Sequence, residues 1–186
     1  MMESIITDRL ILRNFMASDA EYLLDYLSQP RAACFESEKI STLEEASNMA
    51  LAKSQDDAYI AICLQDTHQV IGELFYEYEE PDTYSIGWNL AAGHEGKGYA
   101  QESAAAYFEF LFVNKAARRI YAFVEEDNYR SQRLCEKLGM RQEGLFIEFI
   151  SFENNADGTP KYVNTMQYAI LKKEWEKMRL NSQPAS

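Results

Sequence analysis

Long apolar runs are missing from this sequence. No uninterrupted stretch reaches the roughly 20 residues of a membrane-spanning helix, so no membrane partner is expected. The opening Met-Met-Glu-Ser-Ile-Ile-Thr-Asp8 lacks the basic and apolar regions of a secretory signal, which makes the cytoplasm the expected location. Cysteine is scarce: Cys34, Cys63 and Cys135 are odd in number and far apart. That spacing excludes a disulfide framework or a zinc cluster and leaves three reduced thiols. With only His68 and His94, a metal site has almost nothing to build on, and none is expected. Positive charge is short as well, 18 Lys and Arg against 30 Asp and Glu, a net of −12 that argues against a nucleic-acid footprint.

What is present fits one soluble domain. A chain of 186 residues, 47% hydrophobic and 26% charged, can bury a sizeable core and shows neither internal repeat nor interdomain linker. The domain is expected over 1–175, with 176–186 as a C-terminal tail, frayed from Asn181. The acidic excess is uneven. Between Lys115 and Arg141 seven basic residues face four acidic ones, a +3 stretch inside a negative chain.

The most informative segment runs from Asn89 to Phe112. Tyr84, Ile86, Trp88 and Leu90 alternate with polar or small residues, the period of a half-buried strand. Beyond the turn His94-Glu95-Gly96-Lys97-Gly98-Tyr99-Ala100, the residues Ala100, Ala104, Tyr107, Phe108 and Leu111 recur at helical spacing. Two glycines at a helix mouth let backbone N–H groups turn inward with no Cβ in the way. Unpaired and backed by the helix dipole, those amides suit a phosphate, and Lys97 adds a mobile positive charge. A short Gly-Lys-Gly turn also serves as an ordinary strand-to-helix connector. A Walker loop is excluded because Ala91 and Gly98 stand where glycine and Ser/Thr are required. A dinucleotide fingerprint fails because Gln101 occupies its third glycine position.

Elsewhere the patterns are simpler. A strand is expected over Arg9 to Phe15, then a helix capped by Ser18 or Asp19 with a stripe at Ala20, Leu23, Leu24 and Leu27. The segment from Arg31 to Lys39 reads as a loop. Ser41-Thr-Leu-Glu44 reads as a capping box opening a helix to about Ser54. Tyr59 to Leu64 and Gln69 to Tyr78 form a hairpin, Arg118 to Val124 a later strand, and Glu143 to Glu153 with Tyr162 to Leu171 a last hairpin. Asn128 opens a helix whose Ser131, Leu134, Cys135 and Leu138 share one stripe, so Ser131 points toward the sheet. Asn128 as N-cap and Ser131 as a first-turn serine is the plain structural reading of that pair. Short turns between most strands, with helices between the later ones, predict an α/β (α+β) fold. Its mixed, mostly antiparallel sheet has helices on both faces.

The stretch from Asn89 to Ser103 resembles the acyl-coenzyme A signature of the GNAT superfamily of N-acetyltransferases, closest to its RimJ/RimL ribosomal-protein branch. Thr7-Asp-Arg-Leu-Ile-Leu-Arg13, Asn128 to Met140 and Gln167 to Trp175 resemble the opening strand, second cofactor segment and closing strand of that branch, so the likeness spans nearly the whole chain. The resemblance implies a six- to seven-stranded GNAT sheet, splayed in the middle where the strands around Trp88 and Tyr121 run parallel. It implies acetyl-CoA as cosubstrate, without a metal. Glu95, Gly96, Lys97, Gly98, Tyr99 and Ala100 would hold its pyrophosphate, with the +3 stretch near its phosphorylated end. Leu90 and Ala92 would pair with pantetheine, and Asn128 and Ser131 would address the thioester. The partners implied are coenzyme A and a primary-amine acceptor, small molecule or polypeptide N-terminus, with the protein a monomer or homodimer. Phe35 and Glu36 would lie beside the acceptor.

Acetyl transfer needs an amine that loses a proton, donors for the oxyanion and an acid for the departing thiolate. Main-chain N–H groups from Leu90 to Ala92 are the expected oxyanion donors, and Ser131 the expected acid. Glu73, Glu77, Glu143 and Glu148 are candidate bases, none singled out. An amine of pKa about 8 costs about 1 kcal/mol to deprotonate at pH 7, a lysine amine about 4–5 kcal/mol, so a low-pKa amine is the easier acceptor. The acidic balance favours a cationic one. Glu95, where relatives commonly carry Gln or Arg, keeps open an alternative: an acyl-CoA-binding sensor that no longer transfers.

Overall fold

The computed structural model describes residues 2–30 and 32–182. Eight strands form one sheet in the order β1-β2-β3-β4-β5-β6-β8-β7. They are β1 (Ile5–Ile6), β2 (Leu10–Asn14), β3 (Tyr59–Leu64), β4 (Val70–Glu79), β5 (Thr83–Leu90), β6 (Arg119–Glu125), β7 (Arg141–Asn154) and β8 (Pro160–Leu171). The five helices are α1 (Ala20–Leu27), α2 (Leu43–Ser54), α3 (Tyr99–Val113), α4 (Tyr129–Lys137) and α5 (Lys172–Ser182). The count exceeds the six to seven strands expected because two-residue β1 pairs with β2, too short for any periodicity to mark it.

Every neighbouring pair is antiparallel except β5 and β6. Those two pair in parallel only from Thr83–Arg119 to Ser85–Tyr121, although the strands continue to Leu90 and Glu125. The sheet therefore opens in its middle, as expected. Its two faces carry separate cores. Leu74, Ile86, Tyr107, Phe108, Leu111, Leu134 and Cys135 pack on the α3/α4 face. Leu23, Leu27, Ala46, Ala50, Ala61 and Cys63 pack on the α1/α2 face. Of the α3 stripe read from sequence, Ala104, Tyr107, Phe108 and Leu111 are buried together with Ser103 and Phe112, while Ala100 is only partly buried.

Several local expectations shift. The capping box of α2 is Thr42 with Glu45, one residue later than expected: Thr42 Oγ1 accepts the Glu45 N–H at 3.2 Å, and Glu45 accepts the Thr42 N–H at 3.0 Å. Asp19 precedes α1 but does not cap it. Its carboxylate accepts the Met16 N–H at 2.8 Å and both Arg13 Nη groups at 2.8 and 2.9 Å. The expected loop after α1 contains a 3-10 turn over Ala33–Glu38, and Arg31 lies outside the described residues. The closing strand stops at Leu171, four residues short of Trp175, and α5 occupies most of the expected tail. Residues 183–186, the end of that tail, lie outside the described residues.

Candidate active site

Between β5 and α3 the chain makes a 3-10 turn over Ala92–His94 and then the glycine turn. Gly96 and Gly98 have φ of +72° and +84°, the left-handed region that glycine enters without a steric penalty. Gly98 is the N-cap of α3, so the N–H groups of the first helical turn face the loop with no intrahelical acceptor. A Cβ at Gly96 would meet nothing within 4 Å, while one at Gly98 would lie 3.3 Å from Arg9 Nη2. The turn is thus open on one side and braced on the other. Arg9 provides the brace: Nη1 donates to the Lys97 carbonyl at 2.9 Å, Nε donates to Glu102 at 2.7 Å, and the guanidinium lies 4.6 Å from the Tyr99 ring centroid. Lys97 is less mobile than expected, since Nζ donates to the Gly93 carbonyl at 2.9 Å. Glu95 forms an ion pair with Arg130 on the first turn of α4, which offsets the carboxylate that would otherwise face an incoming phosphate. This donor set fits a diphosphate: exposed helix-start amides, two lysine and arginine heads close by, and room beside Gly96.

At the other end of the turn, the Ala91 N–H donates to the Ile71 carbonyl at 2.8 Å and is not free as an oxyanion donor. Since main-chain groups alternate sides along a strand, Trp88 and Leu90 direct theirs away from β4, to the open edge. Ala92 already belongs to the 3-10 turn and does not extend that edge. Across the opening, Asn128 caps α4 by accepting the Ser131 N–H at 3.2 Å, so the structural reading of Asn128 holds. Ser131 Oγ accepts the Trp88 Nε1–H at 3.1 Å, which leaves its own hydroxyl proton free to be donated. The sequence signalled the polar stripe position of Ser131 but not its indole partner, which lies 43 residues away.

The four base candidates separate. Glu77 and Glu148 are exposed. Glu143 is clamped by Arg119 and Arg141, and Arg119 above all holds its carboxyl below the usual range. Glu73 is fully buried on the α1/α2 face, with Lys53 Nζ donating to its Oε2 at 2.6 Å. Burial pushes its pKa up, only partly offset by Lys53. Beside it lies the Tyr26 hydroxyl, whose pKa burial and Glu73 raise. Glu38, from the 3-10 turn, reaches Lys53 at 3.4 Å. Phe35 packs edge-on against Phe75 with centroids 6.1 Å apart, and Glu36 is exposed. The +3 stretch does not act as a unit, because Arg118 pairs with Asp82 and Arg119 and Arg141 with Glu143.

The sequence profile of the acetyltransferase (GNAT) domain matches residues 9–141. The chain is 33% identical over 173 residues to the uncharacterized N-acetyltransferase YnaD of Bacillus subtilis, covering 92% of this chain and 98% of that protein. Among solved structures, a GNAT-family acetyltransferase from Bacillus anthracis superposes with a TM-score of 0.80 at 28% identity, covering 92% of this chain and 99% of that one. The ribosomal-protein-S5-alanine acetyltransferase of Vibrio fischeri shares the fold, with a TM-score of 0.71 at 17% identity over 94% of this chain and 99% of that one.

Proposed function

This chain belongs to the acetyltransferase (GNAT) domain family, and we propose that it moves an acetyl group from acetyl-CoA to a primary amine while both are bound. The observation that carries this reading is the pair of left-handed glycines at the α3 N-terminus, which bares main-chain donors at the end of an unpaired strand edge. The coenzyme brings the acyl group as a thioester. The amides of Gly96 to Ala100 hold its diphosphate, with Lys97 adding charge, and the α3 dipole strengthens the grip. The β5 edge at Leu90 pairs with the pantetheine arm, and the Leu90 N–H faces the developing oxyanion. Asn128 fixes the first turn of α4 and, with it, Ser131. Ser131 holds a proton at Oγ for the departing sulfur, oriented by the Trp88 indole. The acceptor is a small molecule or a polypeptide N-terminus.

The experiment is free-thiol release from acetyl-CoA with three acceptors: an alanine-terminated peptide, glucosamine and phenethylamine. Thiol release with at least one is expected; acetyl-CoA binding without release on any would instead support the sensor reading. Ser131→Ala is expected to lower kcat about tenfold with an unchanged acetyl-CoA Kd, because the hydroxyl acts only as charge develops on sulfur. An unaltered kcat removes that role. Arg9→Ala, which frees the Lys97 carbonyl and unclamps Glu102, is expected to raise the acetyl-CoA KM about three- to tenfold at nearly constant kcat. Equal KM values for variant and wild type would mean that the brace is dispensable.

A further inference from the structure

A row of buried, under-satisfied polar groups crosses the sheet on its α1/α2 face. Glu73 stands opposite Asn89 in the β4–β5 ladder, and Glu125 opposite Thr165 in the β6–β8 ladder. Counting four residues on from the last β5–β6 pair, Ser85 with Tyr121, brings Asn89 level with Glu125 across the opening. An even count keeps both on one face. Asn89 Nδ2 and Thr165 Oγ1 are buried without a hydrogen-bond partner, while the buried Glu73 Oε1 and Glu125 Oε1 have only the Tyr26 hydroxyl and the Cys34 thiol, respectively, close to them. Glu73 and Thr165 are 0% and 4% exposed. Buried polar groups are normally satisfied, so such a row on both lips of one gap marks a place for a polar ligand. Over it lies the 3-10 turn, where burial and the neighbouring Glu125 carboxylate push the Cys34 thiol up.

Next to the row the same face is aromatic. Phe123 stands two residues before Glu125, and its ring lies 6.0 and 5.5 Å from those of Phe146 and Phe149, which are 5.0 Å from each other. An unbroken strand would send residues 146 and 149 to opposite faces. Here the register shifts between Phe146 and Ile150, with Glu148 at φ +48°, and both rings come together. The bulge is tied to the end of β6: Asn164 Oδ1 accepts the Glu148 N–H at 2.8 Å, and Asn164 Nδ2 donates to Glu126 at 2.8 Å. A strained bulge held this way, presenting three rings that are 37–48% exposed, is a built surface.

Resting on the acetyltransferase reading, we propose that the acceptor is a primary amine borne on an apolar group, its body on Phe123, Phe146 and Phe149, its nitrogen between Asn89 and Glu125, and Glu125 its general base. Ser131 works from the α3/α4 face, beside Trp88, and Glu125 from the other. The ammonium gives one proton to Glu125 Oε1. The freed amine forms the N–C bond as the C–S bond breaks. Its second proton balances the one Ser131 gives to sulfur, and the proton on Glu125 leaves to water, so the products are amide, thiol and one proton.

The test compares phenethylamine with glucosamine and an alanine-terminated peptide, using wild type, Glu125→Gln and Glu125→Asp, with acetyl-CoA Kd by calorimetry and melting temperature as controls of folding. Wild type is expected to favour phenethylamine by about tenfold in kcat/KM, the value of a well-filled apolar site. Glu125→Gln is expected to lose about 100-fold in kcat with acetyl-CoA Kd within twofold, and Glu125→Asp, which keeps a carboxylate, to recover part of it. Full turnover in Glu125→Gln overturns the base. Transfer to glucosamine or the peptide as good as to phenethylamine overturns the apolar class. A wild type that binds acetyl-CoA and acylates none of the three overturns the acetyltransferase reading itself, and this inference with it.

Discussion

Lys53→Met is expected to destabilise the fold by about 3–5 kcal/mol, because it strands the Glu73 carboxylate in the α1/α2 core without its cation. For a chain of this size that is a fall of roughly 6–20 °C in melting temperature. Tyr26 and Glu38 cannot replace the lysine: one is a neutral phenol and the other a second acid. The double variant Lys53→Met with Glu73→Leu is expected to recover most of the loss, since a buried ion pair and an apolar pair of similar volume are often near equal. The sign of the pH dependence follows from Glu73, whose pKa burial raises. A carboxyl with a raised folded-state pKa binds its proton more tightly when folded. Its favourable contribution is therefore complete below the unfolded pKa and is lost as pH rises through the folded one. Removing Lys53 takes away the one cation opposing that rise, so the loss in Lys53→Met should be smallest near pH 5 and grow toward pH 8. Circular-dichroism melts across that range check it, and a pH-independent loss would contradict it.

Gly98→Val is expected to weaken acetyl-CoA about 10- to 100-fold. At φ +84° a β-branched residue costs about 1–3 kcal/mol, and the added Cβ meets Arg9 Nη2 at 3.3 Å. The chain relieves that strain by turning the amides of the loop out of line. Gly98→Asn, which tolerates the left-handed region, is expected to lose much less. Calorimetric titration separates the two, with melting temperatures to confirm that the rest of the fold is intact. Equal affinities for Gly98→Val and wild type would mean that the loop does not bind the coenzyme.

The parts of the site legible in the sequence are the local ones. Gly96 and Gly98 permit the left-handed turn through their own lack of a Cβ, and Asn128 caps α4 by accepting the N–H three residues on. The half-buried period of β5 and the stripe of α3 likewise need only neighbouring residues. What escaped depends on register between distant strands. Nothing near Glu125 distinguishes it from Glu126 or Asp127, and only the β4–β5–β6–β8 alignment brings it level with Glu73, Asn89 and Thr165. The Glu95–Arg130 pair is illegible for the same reason. Helix α5 was missed because Leu171, at its start, is not a capping residue type. Its N–H is satisfied instead by Glu174, at 2.8 Å.

Amide chemical shifts of the 15N-labelled protein, recorded as acetyl-CoA is added, test most directly whether main-chain donors hold the coenzyme. The largest changes are expected at Gly96, Lys97, Gly98, Tyr99 and Ala100, with a second set at Trp88 and Leu90 along the open edge. Shifts confined to other surfaces, with those seven amides unmoved at saturation, would contradict it.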